Sequence, residues 1–438
     1  MVLKLLDTFM NSLEKIKALK AYLDKLEESF CVQSSTDIED ALADYETGEI
    51  KIEYLDEIYE KLNEIELEFP EEPDSLYYSR DEFEAYMVEI DTIVEVDKST
   101  VRTKHFRQTI IECERSGWYA VMDKLKSYRF VDENYDVSVI ENPFLIGLIN
   151  SKNKNYDEDC GLFPCSSYLA LELKYKTDAF LKNMDENALM ERILYDLSQQ
   201  LHCAVYISES CYADTISDDL YDCEASPEEE EVDVKSLLSF TPLTRLYTRA
   251  LEAVDNEIRF LYFYKIIEHI SPVVAKLKAY KELNKRLDLL STCRRDYKYL
   301  DSIFDICRKY DEDMKDEYLC ASVIQECIDV VSLWPYLPEG KVNQYKGNLK
   351  LNIPKGATPS DKDFDDGKLQ SYKKQLARSL YSTRNSIVHA KSNYEANGTE
   401  FAPGEMQEAN KIMEIIASTL IQWNERQADA YKIQEERN

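Results

Sequence analysis

The chain is short of the residues that build turns and of those that build metal sites. Among 438 residues there are 10 glycines, 12 prolines and four histidines. So little Gly and Pro argues against a loop-rich β architecture and for helices. Neither G-x-G-x-x-G nor G-x4-G-K-[ST] occurs, so the two glycine-rich phosphate cradles are missing. The 11 cysteines are scattered, with no C-x2-C pair. The closest spacing is Cys160-x4-Cys165, and the nearest histidine in sequence, His202, lies far along the chain. That leaves no zinc framework, and the expectation is a chain with no metal and no cofactor. No apolar run approaches the length of a membrane span. The opening MVLKLLDTFMNSLEKIKALK reads as an amphipathic helix, interrupted by charge too soon for a signal peptide. A reducing cytoplasm fits these cysteines best.

Negative charge is in excess. There are 85 Asp and Glu against 53 Lys and Arg, a net of −32, which opposes general binding to a polyanion. The distribution is uneven. Residues 36–97 carry 23 acids against Lys51, Lys61 and Arg80, and residues 207–234 carry 11 acids and no base. Residues 341–395 reverse the balance, with 11 bases against five acids. This stretch is either a solvated loop or a local anion-attracting surface, and it supplies Lys373, Lys374, Arg378 and Lys391 as candidate substrate-binding residues. The 31 tyrosines read as core and interface filler with a polar tip.

The periodicity divides the chain into four parts: an acidic helical region over 1–80, an α/β or α+β domain over 81–207, an acidic linker over 208–235, and an all-α domain over 236–438. The fold class is therefore mainly α with a mixed α/β middle. Helices are expected at 1–30 and 52–66, the latter with Ile52, Leu55, Tyr59, Leu62 and Ile65 on one face. Tyr86–Asp97 reads as β-rich, and 168–175 alternates as a strand. A helix at 185–201 and a short strand at 204–207 follow. Thr241-Pro242 is a helix start, and the helix runs on through Ile267 to a stop near Ser271-Pro272. Leu333–Gly367 reads as a long loop, with final helices at 368–392 and 404–432.

The most informative segment is Arg384-Asn385-Ser386-Ile387-Val388-His389. Tyr372, Leu376, Leu380, Arg384 and Ile387 fall on one apolar stripe. A guanidinium there cannot shed its charge, so it needs a carboxylate, an interface or a ligand phosphate. Asn385 and His389 stand at i and i+4. Arg384 and His389 are about 140° apart on an ideal helix. An arginine, an amide and a titratable imidazole can together hold a phosphate and move a proton.

This hexapeptide resembles the Arg-x4-His signature of the HEPN superfamily. The stretch Arg259–Pro272, aromatic-rich and carrying Glu268, looks like the first long helix of Apea-like HEPN domains. The resemblance covers about residues 240–432. It implies a C-terminal helical bundle that dimerises through its helices and cuts RNA, with tRNA among the candidate substrates, without a metal. His389 would be general acid or base, Arg384 would stabilise the charge on the scissile phosphate, Asn385 would orient, and Glu268 would be a fourth polar member or the counter-ion of Arg384. The products would be 2′,3′-cyclic phosphates and 5′-hydroxyls. Lys391 stands where nucleotidylated relatives carry His-x-Tyr, which argues against that mode of control. The setting implied is antiviral defence or a toxin-like system, with the N-terminal half sensing or regulating and its acidic face meeting a protein trigger or inhibitor. The alternative is a non-catalytic dimerisation protein whose acidic surface binds a basic partner.

Overall fold

The computed structural model describes residues 12–34, 38–113, 124–178, 185–208, 241–288, 297–313, 316–354, 357–389, 398–428 and 431–433. The described residues form two compact units. One lies within Met1–Asp185 and Val205–Lys235, the other within Glu186–Ala204 and Ser236–Asn438. The first carries the sheets and the second is helical. The linker expected at 208–235 lies almost wholly outside the described residues. Among those residues no helix is long and apolar enough to cross a membrane.

The first unit opens with helix α1 (Ser12–Phe30), strand β1 (Gln33–Ser34), and helices α2 (Ile38–Thr47) and α3 (Ile52–Lys61). Strands β2 (Glu64–Glu68) and β3 (Leu76–Ser79) complete a three-stranded antiparallel sheet in the order β1-β2-β3. The periodicity extends the second helix to residue 66; the helix instead ends at Lys61, and Ile65 is in β2. The reason is the alternation Glu64-Ile65-Glu66-Leu67-Glu68, which buries Ile65 and Leu67 on one face at the strand period of two. Helix α4 (Arg80–Met87) starts directly after β3, so Tyr86 is helical rather than extended, and only Val94–Asp97 of the expected β-rich stretch is a strand.

A seven-stranded antiparallel sheet follows, built from β4 (Val94–Asp97), β5 (Thr100–Arg102), β6 (Phe106–Cys113), β7 (Arg129–Val131), β8 (Tyr135–Glu141), β9 (Leu169–Tyr175) and β10 (Val205–Ile207). The order is β4-β5-β6-β9-β8-β7, with β10 on β6. Strand β9 lies between β6 and β8 and is buried on both faces except at Lys174. Helix α5 (Phe144–Asn153) is buried over its first eight residues. Phe144 meets Tyr78, Phe83 and Tyr86 with ring centroids 5.1, 5.9 and 5.2 Å away. One buried cluster thus runs from Ile16 to Ala170, joining the acidic N-terminal helices to the sheet.

The second unit comprises α6 (Glu186–Leu201), α7 (Pro242–Glu252), α8 (Asn256–Asp288), α9 (Tyr297–Asp313), α10 (Asp316–Cys327), α11 (Glu339–Leu349), α12 (Asp366–Val388) and α13 (Met406–Glu425). Helix α6, expected within the α/β region, groups with these helices; its Tyr195 sits 5.3 Å from Tyr247 of α7. Thr241 is the N-cap of α7, as its sequence signalled, and its N–H is met by the Thr244 hydroxyl at 3.1 Å. Two details of the long helix differ from expectation. The chain breaks at 253–255, where the Asp255 carboxylate accepts from the N–H groups of Glu257 and Ile258 at 2.7 and 3.1 Å and starts α8. Helix α8 then runs straight through Pro272. Pro272 has no N–H for the Glu268 carbonyl, and the Ser271 hydroxyl donates to that carbonyl instead, at 3.2 Å.

The loop expected over 333–367 contains α11. Lys341, Tyr345 and Leu349 are buried at i, i+4 and i+8, a helical stripe hidden from the sequence because its first member is a lysine. Tyr345 meets fully buried Tyr372 of α12 at 5.5 Å, and Trp334 and Phe364 close around the same ring. Ile412, Ile416 and Leu420 of α13 are buried in register.

Candidate functional site

The apolar stripe of α12 is buried at Tyr372, Leu376 and Leu380, and Arg384 extends it to the rim, three-quarters covered. There its Nη2 donates to Glu268 Oε1 of α8 at 3.0 Å, and its Nη1 donates to Asn385 Oδ1 at 3.1 Å. Of the three partners the sequence left open for this guanidinium, the structure supplies the carboxylate. Arg384 and Asn385 of α12 are thus brought together with Glu268 of α8, which precedes Arg384 by 116 residues in sequence.

The pair forms one end of a cleft of about 220 Å³ between α8 and α12. Ile258, Leu261, Tyr262, Lys265 and Glu268 line it from α8, at spacings of three and four that place them on one helix face. Arg384 and Val388 line it from α12. Sequence reasoning missed Lys265, an exposed second cation whose Nζ lies 4.8 Å from the Tyr262 ring centre. Its only signal was its place three residues before Glu268. Two cations against one carboxylate make this cleft locally positive in an acidic chain. Tyr264, also lining it, has its phenol pushed up by burial, so the hydroxyl stays protonated. Burial likewise pushes the Cys320 thiol up to about 12, which makes it a poor nucleophile.

His389 closes α12 as its C-cap, exposed, with φ −103° and ψ 11° and its backbone N–H on the Asn385 carbonyl at 2.9 Å. It lies one residue beyond Val388, the last cleft residue of α12, and does not itself line the cleft. The basic candidates are dispersed. Lys373 stands about 16 Å before Arg384 along the helix and donates to the Gln325 carbonyl in the last turn of α10, at 2.8 Å. Lys374 is exposed on α12. Arg378, about 120° round the helix from Arg384, lines a separate cleft against α11. Lys391 lies outside the described residues.

The other histidines are engaged elsewhere. His105 lies between Glu89 and Asp178, the latter at 2.7 Å, in the first unit. His202 contacts Glu414 at 2.7 Å, and His269 donates from Nδ1 to the Lys265 carbonyl. Among the described residues, no group of three or more His, Cys, Asp or Glu is arranged to hold a metal ion. Comparison of the chain with protein-family models, with curated proteins and with solved structures gives no match.

Proposed function

We infer that this chain is an endoribonuclease of HEPN type, working without a metal, and that its α8–α12 cleft and the end of α12 form the reaction site. The observation that carries this reading is the Arg384–Glu268 contact at 3.0 Å, on the rim of a locally positive cleft, on the same helix that ends at exposed His389. In this scheme Arg384 exchanges Glu268 for a scissile phosphate, which presents the planar fork with the same two-oxygen geometry as a carboxylate. Asn385, already bonded to the guanidinium, holds it in place. His389 takes the proton from a ribose 2′-hydroxyl or gives one to the departing 5′-oxygen. The 2′-oxygen attacks phosphorus and the 5′-oxygen leaves, giving a 2′,3′-cyclic phosphate and a 5′-hydroxyl. A homodimer through the C-terminal helices would set two such sites facing each other, and the acidic first unit would receive the trigger or inhibitor in the cytoplasm.

One observation favours a second reading. Glu268 already neutralises Arg384, so the pair can serve as a helix clamp in a non-catalytic interaction protein. The deciding experiment is cleavage of labelled tRNA and single-stranded RNA in EDTA by wild type, His389→Ala and Arg384→Ala, with mapping of the new ends. The nuclease reading expects cyclic-phosphate ends from wild type and a loss of about 10²–10⁴-fold in His389→Ala, with an unchanged melting curve. Equal ends and rates from wild type and His389→Ala sink it.

A further inference from the structure

The second cleft of the helical unit, between α11 and α12, has about 350 Å³ of space, the lower end of the range for small-ligand sites. Such sites are mostly apolar; this one is not. Its walls carry three carboxamides (Gln344, Asn348, Gln375), three hydroxyls and the guanidinium of Arg378, with no carboxylate among the lining residues. In a chain with 85 acidic residues, a polar cleft with an arginine and no acid is set apart. Arg378 is exposed and forms no ion pair among the described residues.

The framework behind the walls is already bonded, which fixes what remains free. The hydroxyls of Tyr345 and Ser379 pair at 2.8 Å, and Thr399 gives its hydroxyl to Ser382 at 2.9 Å. Asn348 Nδ2 donates to Gln375 Oε1 at 2.7 Å. That bond leaves Asn348 Oδ1 as an acceptor and Gln375 Nε2 as a donor. Buried Lys341 donates to the Thr399 carbonyl at 2.8 Å and to Gln344 Oε1 at 3.4 Å. This turns the Gln344 amide so that its Nε2 is the free end. The free groups are therefore a guanidinium, two amide donors and one amide acceptor. An unpaired guanidinium suits a phosphate, and a carboxamide donor and a carboxamide acceptor are the two groups that read the N6/N7 edge of adenine.

We propose that the α11–α12 cleft binds an adenosine monophosphate group, with the phosphate on Arg378 and the base edge on the Asn348–Gln375 amide pair. The site is separate from the Arg384 cleft, and it stands whether or not the chain cuts RNA. Its test is binding alone, by titration calorimetry of the full chain with adenosine 5′-monophosphate, adenosine and inorganic phosphate. Wild type binds the monophosphate more tightly than either fragment. Arg378→Gln, at an exposed position, weakens the monophosphate about tenfold or more and leaves adenosine unchanged. Gln375→Leu weakens the monophosphate and adenosine but not inorganic phosphate. Equal affinities for monophosphate and inorganic phosphate overturn the base contact. A monophosphate affinity unmoved by Arg378→Gln, or no binding to wild type at about 5 mM, overturns the site.

Discussion

The guanidinium of Arg384 reaches from α12 to the carboxylate of Glu268 on α8 at 3.0 Å, with the two side chains 25% and 43% exposed. At that exposure water screens the attraction, and such pairs contribute about 1 kcal/mol or less. Glu268→Gln is therefore expected to change unfolding free energy by less than about 1 kcal/mol, read from urea denaturation. The same substitution frees Arg384, so under the nuclease reading RNA binds more tightly to the variant at low salt. A loss of about 3 kcal/mol or more, the size seen when a buried pair is broken, would instead make the pair a structural clamp.

The carbonyl of Glu268 depends on Ser271 because Pro272 cannot donate to it. Ser271 is buried, so Ser271→Ala leaves that carbonyl short of a partner at a cost of about 1 kcal/mol. In a Ser271→Ala, Pro272→Ala double variant, the restored N–H at 272 reaches the same carbonyl. Thermal melts of the two variants decide the matter: the double variant recovers the loss, and a double variant no more stable than the single shows that the hydroxyl does not carry the contact.

Much of this arrangement was legible from local signals. Thr241-Pro242 marked a true helix start, the alternation of 168–175 marked the central strand β9, and Arg384-Asn385 was placed on a core-facing helix. The carboxylate partner of Arg384 was among the candidates, because aromatic neighbours singled out the stretch around Glu268. What was not legible depended on long-range contacts. Ile65 fits the end of a helical stripe as well as the alternation of residues 64–68, and its pairing with Tyr78 of β3 adds the long-range contact that favours the strand. Pro272 is a stop signal unless a neighbouring hydroxyl repairs the helix. Helix α11 was hidden because Lys341 is buried among the carbonyl of Thr399, the amide of Gln344 and the ring of Phe401, a setting no local window contains. The dispersal of Lys373 and Arg378 to different partners was equally invisible, since charge along a sequence says nothing of the helix face it occupies.

Glu172 gives the first unit a pH dependence. Burial pushes its carboxyl up, opposed by hydrogen bonds from Gln108 and Tyr86 and by Lys174, while Glu82 adds to the rise. Gln108 donates to it at 2.7 Å, and its other amide atom accepts from the Leu145 N–H at the start of α5. The unfolded chain loses this proton in the ordinary carboxylate range, whereas the folded chain keeps it to higher pH. Between those limits the folded state binds more protons, so the contribution of Glu172 to stability falls as pH rises. Glu172→Gln removes that fall. Urea melts from about pH 4 to about pH 8 are expected to show a steeper loss toward high pH in wild type than in the variant, and parallel profiles contradict it.

Gly147 lies inside helix α5, where alanine is ordinarily the better residue by about 1 kcal/mol. Here the sign is reversed by a close approach. A Cβ at 147 would lie 1.9 Å from the sulfur of Cys165 and 3.1 Å from the ring of Phe69. Cys165 is fully buried, so its sulfur has no solvent to swing into, and the helix must shift away from its neighbours. Gly147→Ala is therefore expected to destabilise the chain by about 1–3 kcal/mol, the usual cost of overpacking. Removing the sulfur makes room: Gly147→Ala with Cys165→Ala recovers most of the loss, whereas Cys165→Ala alone costs stability by opening a void. A double-mutant cycle from urea denaturation reads this directly as a favourable coupling between the two substitutions. Simple additivity would mean that the glycine is there for some reason other than the sulfur beside it.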